Sequence, residues 1–233
     1  MKKRHVLHFV MVISIIFIAG TLNAQKATQE REVKGFNQIA YSLPCNLEIQ
    51  QGTMEKVVLE GDQNDIDKII TEVEDGQLKI KPRDEVSGKF KEIKIIVTVK
   101  ELNGIAIVGS GDINFTTPLK SSDLEIKVSG SCDLNCEKLK ADNLQIRLAG
   151  SGDMYIGGDL SSELKVNLAG SGDIQTGDLK APKADISVAG SGDVTVWATD
   201  FLFARVAGSG DIKYKGSPEV DKKVSGSGDI KKL

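Results

Sequence analysis

Leu144-Gln145-Ile146-Arg147-Leu148-Ala149-Gly150-Ser151-Gly152-Asp153-Met154 is followed twenty residues later by Leu164-Lys165-Val166-Asn167-Leu168-Ala169-Gly170-Ser171-Gly172-Asp173-Ile174. The phrase Gly-Ser-Gly-Asp-apolar that closes each line occurs seven times, once with Cys for its second glycine, and its aspartates are Asp112, Asp133, Asp153, Asp173, Asp193, Asp211 and Asp229. Successive aspartates are 21, 20, 20, 20, 18 and 18 residues apart. A fixed period near twenty residues marks a solenoid, in which each unit cannot bury its apolar face alone and borrows a neighbour's.

Working outward from the phrase, apolar residues stand nine, seven and five positions before each aspartate, as in Leu124, Ile126, Val128 and Ala184, Ile186, Val188. Others follow at one and three positions after it, as in Met154 and Ile156. All these offsets are odd, so one period-2 strand phase runs through the phrase, with both glycines inward and Ser and Asp outward. Glycine at a bend relieves inward crowding and admits unusual backbone angles, while Asp and Ser can hydrogen-bond N–H groups left open at a corner. Leu119, Leu139, Leu160 and Leu179 mark a third apolar side. The expected fold is all-β: a right-handed parallel β-helix of about seven coils of ~20 residues, three-sided in section. Cys132 replaces the second glycine of the second phrase, and Lys222 takes a core position in the last coil, as expected of an atypical terminal repeat.

Residues 1–24 read as a secretory signal peptide: Lys2, Lys3 and Arg4 precede an apolar run from Phe9 to Gly20, with Ala24 before the cut. The run is short for a bilayer span. Export removes His5 and His8, the only two histidines, and with them His-based triads and His-ligated zinc. It also lowers the basic count from 30 to 27 against 33 acids, a net charge of −6 that argues against nucleic acid as a partner. The destination is periplasmic, outer-surface or extracellular. Of the three cysteines, Cys45, Cys132 and Cys136, the last two are four apart in an extended segment and too distant for a disulfide, so they read as small buried hydrophobes.

Residues 25–100 lack the phrase and read as a β-rich region capping one end of the repeat, which occupies 101–233. Short strands are expected around Ile39, Leu47–Ile49, Val57–Leu59, Leu78–Ile80 and Ile93–Val99, with turns at Gln51-Gly52 and Asp75-Gly76. Ile66, Ile69 and Ile70 have helical spacing, which predicts one short helix over Gln63–Thr71, and Arg83–Lys91 reads as a polar loop.

The repeated Gly-Ser-Gly-Asp, preceded by Arg31-Glu32-Val33-x-Gly35-Phe36-x-x-Ile39, Val57-Val58-Leu59-Glu60-Gly61 and Gly76-x-Leu78-x-Ile80, resembles the head GIN domain family of Gram-negative bacteria. These exported proteins are described as auto-transporter adhesin heads, and the resemblance covers residues 30 to 230. It implies a β-helical fold and a location at or beyond the periplasm. It carries over no catalytic or binding residue.

The outward column Asp112, Asp133, Asp153, Asp173, Asp193, Asp211 and Asp229 is the one constellation that could carry chemistry. Its structural reading is that each aspartate caps its own corner. Solvated carboxylates one strand spacing apart repel by only ~1 kcal/mol, so the column is tolerable. Weak calcium binding is the metal reading, but one carboxylate per coil falls short of the six to eight oxygens calcium takes, and no cofactor is expected. A polysaccharide-cleaving enzyme would need an acid and a base in different surroundings, whereas the column offers near-identical ones. Tyr155 and Trp197 face outward by phase and hint at sugar stacking. The reading is therefore a non-catalytic adhesion or scaffolding protein binding a cell-surface protein or glycan, with a carbohydrate-active protein as the alternative. A flat face or an uncapped end also offers a surface for a homo-oligomer.

Overall fold

The computed structural model describes residues 26–44, 46–83, 90 and 93–233. The segment expected to be a signal peptide, Cys45 and most of the polar loop expected at 83–91 lie outside the described residues. The chain is nearly all-β, a β-solenoid of stacked parallel coils with about six turns. Seven phrases bound six intervals, which accounts for the difference from the seven coils expected.

The long strands β8 (Gly104–Phe115), β10 (Asp123–Gly150), β11 (Met154–Gly170), β12 (Ile174–Gly190) and β13 (Val194–Gly208) pair in parallel and in sequence order, with the short β9 (Leu119–Lys120) beside β10. Equivalent residues sit in register: Ile146 opposite Val166, Ile186 opposite Ala204, Leu134 opposite Met154. The period-2 phase holds throughout. Ile146, Val166, Ile186 and Ala204 are fully buried, as are Ile156 and Val196 beyond the phrase. The third side is equally closed, by Leu119, Leu139, Leu160 and Leu179. Register shifts after Cys136 and after Ala141 mark the other two corners of a coil. Each inward side chain thus lies on its counterpart one coil away, and the hydrophobic effect acts along the stack.

The stack begins inside the N-terminal region. Of its strands β1 (Ala27–Glu32), β2 (Gln38–Tyr41), β3 (Asn46–Gln51), β4 (Lys56–Gly61), β5 (Ile69–Glu74), β6 (Gln77–Pro82) and β7 (Lys94–Val99), β2 and β3 pair in parallel with β8. On their other side they pair in parallel with β6 and β7. Strands β2 and β3 are therefore sandwiched between β6 and β7 on one side and β8 on the other, although the chain visits them first. Beyond it, β4, β1 and β5 run antiparallel to their neighbours and close that end. The Arg31 guanidinium fastens this lid by donating to the carbonyls of Ile66 and Ile69 at 3.1 and 2.6 Å.

The helix is shorter than the isoleucine spacing predicted. Asp62 caps α1 (Gln63–Ile66) by accepting from the Asn64 N–H, but Ile69 and Ile70 already belong to β5. Their β-branched side chains pair across to Lys81 and Pro82, so sheet pairing overrode a weak helical period. At the opposite end, β14 (Ile212–Lys215), β15 (Glu219–Gly226) and β16 (Ile230–Lys232) form the last coil. Lys222 lies opposite fully buried Ala204, yet it is exposed and its Nζ donates to the Ile230 carbonyl at 3.1 Å.

The glycines do something other than relieve inward crowding. Gly170 has φ +144°, and a Cβ there would stand 2.0 Å from the Gly150 carbonyl oxygen of the preceding coil. At Gly172 it would stand 2.0 Å from the Gly152 oxygen. The obstacle is the backbone of the neighbouring coil, so bare backbone is needed at both positions for the coils to close up. Gly170→Ala should therefore destabilise by more than about 3 kcal/mol, combining left-handed strain with backbone overlap. Ser171→Ala, exposed between the two glycines, should stay within about 0.5 kcal/mol. Denaturant midpoints of the two variants check this, and equal shifts would refute the assignment.

Candidate functional site

The seven aspartates do form one file, but they do not cap their own corners. From the second phrase onward the carboxylate reaches to the next coil: Asp133 Oδ1 accepts the backbone N–H of Asp153 at 2.8 Å, and Asp153 that of Asp173 at 2.9 Å. Asp173, Asp193 and Asp211 continue the series to Asp193, Asp211 and Asp229 at 2.8, 2.8 and 2.9 Å. In return, the N–H after each aspartate donates to the next aspartate's carbonyl, as Met154 does to Asp173 at 2.8 Å. Asp229, in the last described coil, turns back to its own neighbour, the Ile230 N–H.

The first two phrases explain why the carboxylate is needed. There β8 and β10 pair without interruption through Ser110–Asp112 and Ser131–Asp133. Cys132, having a side chain, takes an ordinary strand conformation, and its sulfur is buried. In later coils the strand breaks at Ser-Gly-Asp, and the aspartate side chain supplies the acceptor the ladder has lost. The file starts one residue earlier in the stack than the phrase reveals. Asn46 Oδ1 accepts from the Asp112 N–H at 3.1 Å, and Leu47 and Ile49 register with Ile113 and Phe115. The signal was present in the sequence: Leu47 and Ile49 stand one and three positions after Asn46, as apolar residues do after each aspartate.

The file is electrostatically uneven. In its C-terminal half Lys213 and Lys231 fold over it, to Asp193 at 3.0 Å and Asp211 at 3.5 Å. Burial works to raise the Asp193 pKa, yet the Asp211 N–H and the Lys213 ammonium outweigh it and hold the carboxyl below the ordinary aspartate value. In the N-terminal half the equivalent outward residues are Asn114, Asn135 and Tyr155, and a shallow groove of about 340 Å³ opens beside Asp112, Asp133 and Asp153. Among the described residues, no group of three or more His, Cys, Asp or Glu side chains is arranged to hold a metal ion.

Other singled-out residues have local partners. Lys215 reaches Asp178 at 3.2 Å and the Tyr155 hydroxyl donates to the other Asp178 oxygen at 3.1 Å, a staple spanning four coils from β11 to β14 that lowers the Asp178 pKa. Trp197 is half-buried beside Gly216. Arg147 pairs with Glu125. Cys132 and Cys136 are free and buried, and burial pushes the Cys136 thiol up to about 12, which leaves it an inert hydrophobe. A further concavity, about 690 Å³, lies at another corner, where Gln51, Lys100, Lys120, Asp123 and Lys140 meet. Sequence reasoning missed it, because no repeated pattern draws these residues together.

Residues 35–218 match the family described as "putative auto-transporter adhesin, head GIN domain". The chain belongs to this family. Among solved structures, a "putative adhesin" of Bacteroides fragilis is 29% identical, with a TM-score of 0.82 over 91% of this chain and 98% of that one. A protein of Parabacteroides distasonis named as lipid binding is 32% identical, with a TM-score of 0.75 over the same shares. A protein of Parabacteroides merdae, 21% identical with a TM-score of 0.76 over 91% and 97%, shares the fold. Among curated proteins none matches.

Asp173→Ala removes the acceptor for the Asp193 N–H and should cost about 1–3 kcal/mol. Asp173→Asn should cost less, because Asn46 already fills this role at the head of the file. Urea midpoints of the two variants, compared directly, decide the point. A carboxyl held low in the fold contributes stability that is complete above the unfolded value of ~3.9 and is lost as pH falls through its folded value. Stability should accordingly drop as pH falls below about 4, and Asp193→Asn should flatten that dependence. An unchanged slope in the variant would remove Asp193 from the account.

Proposed function

We propose that this head GIN domain protein is exported and works without catalysis, as an adhesion or scaffolding protein that presents the regular faces of its solenoid to a cell-surface protein or glycan. The observation that carries the reading is the commitment of the aspartate file. From Asp133 onward each Oδ1 is occupied by a backbone N–H, so the one repeated ionisable constellation serves the stack. A glycosidase pair needs one carboxyl raised and one ionised. Asp193 is held low and covered by Lys213, which suits neither a general acid nor an accessible base. With its two histidines in the leader, the exported chain also lacks imidazole.

The adhesin description of the family and of the Bacteroides fragilis neighbour supports the same reading. No described helix is long and apolar enough to cross a membrane, so attachment to the cell would come through a partner or a part of the chain outside the described residues. On intact producing cells, added protease should digest the protein, and deleting it should reduce attachment to host surfaces. A glycan panel should show no turnover. Turnover that disappears in Asp153→Ala or Asp173→Ala would replace this reading with a carbohydrate-cleaving one.

A further inference from the structure

The outward position two residues after each aspartate forms one continuous column across the coils. Asn114 lies opposite Asn135, Asn135 opposite Tyr155, and Tyr155 opposite Gln175. Gln175 then lies opposite Thr195, Thr195 opposite Lys213, and Lys213 opposite Lys231. What stands in this column decides what the neighbouring carboxylates hold. Lys213 sends its ammonium back one coil to Asp193 Oδ2 at 3.0 Å, and Lys231 sends its own to Asp211 Oδ2 at 3.5 Å. The other oxygen of each, Oδ1, accepts the backbone N–H of the next coil. The repeat thus carries its own comparison: at two successive positions, an aspartate of the file takes a lysine ammonium on the oxygen that the backbone leaves open.

Earlier in the stack the same carboxylates lack that partner. The residues placed to reach Asp112, Asp133 and Asp153 in the same way are Asn135, Tyr155 and Gln175, and none carries a positive charge. Asp133 and Asp153 use Oδ1 for a backbone N–H, and their Oδ2 atoms have no partner among the described residues. The Asp112 carboxylate has none on either oxygen among them. These three aspartates line the groove of about 340 Å³ together with Asn114, Asn135, Tyr155 and Gln175, and no lysine or arginine lines it. Bases to either side are engaged elsewhere: Lys94 with Glu48 at 2.9 Å, and Lys215 with Asp178 at 3.2 Å. The carboxylates stand one strand spacing apart, ~4.8 Å, so they repel one another, and a cation between them removes the repulsion. The amides of Asn114, Asn135 and Gln175 also lack partners among the described residues.

We infer that this groove takes lysine side chains of a basic protein segment, whose ammonium groups sit on Asp112, Asp133 and Asp153 as Lys213 and Lys231 sit on Asp193 and Asp211. The inference rests on the adhesion reading and names the chemistry of its partner. An acidic or phosphate-bearing ligand meets three carboxylates and no base here. In an extended segment, side chains return to the same face every two residues, ~6.6 Å, and the flexible four-carbon lysine stem spans the difference from the coil spacing. The amides of the column, each a donor and an acceptor, then meet the peptide groups of the segment.

The test is calorimetric titration of the whole exported chain with an end-blocked hexapeptide of alternating lysine and glycine, and with the same peptide acetylated on its lysines. The lysine peptide should bind, more weakly as salt rises, and the acetylated one should not. Asn135→Lys and Gln175→Lys fill Asp112 and Asp153 from within, and each should weaken binding by about tenfold, the loss of one charge-assisted contact. Both place in the column a side chain it already carries at Lys213 and Lys231, so the fold is kept. Gln145→Lys, the same change of charge on another side of the coil, should leave binding unchanged. Lys213→Gln frees Asp193 and should strengthen binding severalfold. No binding of the lysine peptide, equal binding of the acetylated one, or equal weakening by Gln145→Lys would each overturn the inference. Tighter binding of a glucosamine oligomer than of the peptide would overturn it in favour of a cationic glycan. If cells still attach in a protein-dependent way while the lysine peptide fails, the adhesion reading stands and only the chemistry of the partner is lost.

Discussion

The structure depends on how closely one coil can lie against the next at the Gly-Ser-Gly-Asp corner. Two glycines with no Cβ let the backbone of a coil settle on the carbonyls beneath it, where any side chain would meet an oxygen at about 2 Å, as at Gly170 and Gly172. That proximity brings the aspartate N–H within reach of the carboxylate one coil away. The glycine and the aspartate are thus one device: the first permits the approach and the second supplies the acceptor where strand pairing breaks. The stacked cores of Leu, Ile and Val can form only because this corner closes at strand spacing.

A file of like charges would work against such a stack if each carboxylate were left to itself. Here each of five receives a backbone N–H from the next coil, and charge-assisted bonds of this kind are stronger than neutral ones. Two are further offset by Lys213 and Lys231. The N-terminal half keeps amides beside the carboxylates, and there the surface opens into a groove. One repeated element therefore has two electrostatic characters along a single molecule, set by the residue two positions after each aspartate.

Much of the architecture was legible in the sequence because a solenoid repeats its evidence of periodicity. The odd-offset phase, the third side at Leu139 and Leu179, and the atypical last coil at Lys222 all followed from counting residues. What escaped counting was whatever depends on a residue far away in the chain. The glycines looked like relief of inward crowding, since the obstruction lies in another coil. The aspartates looked like local caps, since their partners are eighteen or twenty residues on. The placement of β2 and β3 between β6 and β7 and the long β8 needs pairings that no local pattern announces. The concavity at Gln51 is invisible for the same reason: Lys100, Lys120 and Lys140 come to it from separate segments of the chain.

Lys222 has a bearing on how such a molecule can change length. Its column is otherwise apolar, and it is tolerated because its ammonium escapes over the last rim to the Ile230 carbonyl. Any extra turn grafted after residue 233 would trap that charge between two layers, at a cost of several kcal/mol. An extra interior unit meets no such penalty, because its upper and lower surfaces are both apolar inside and alike.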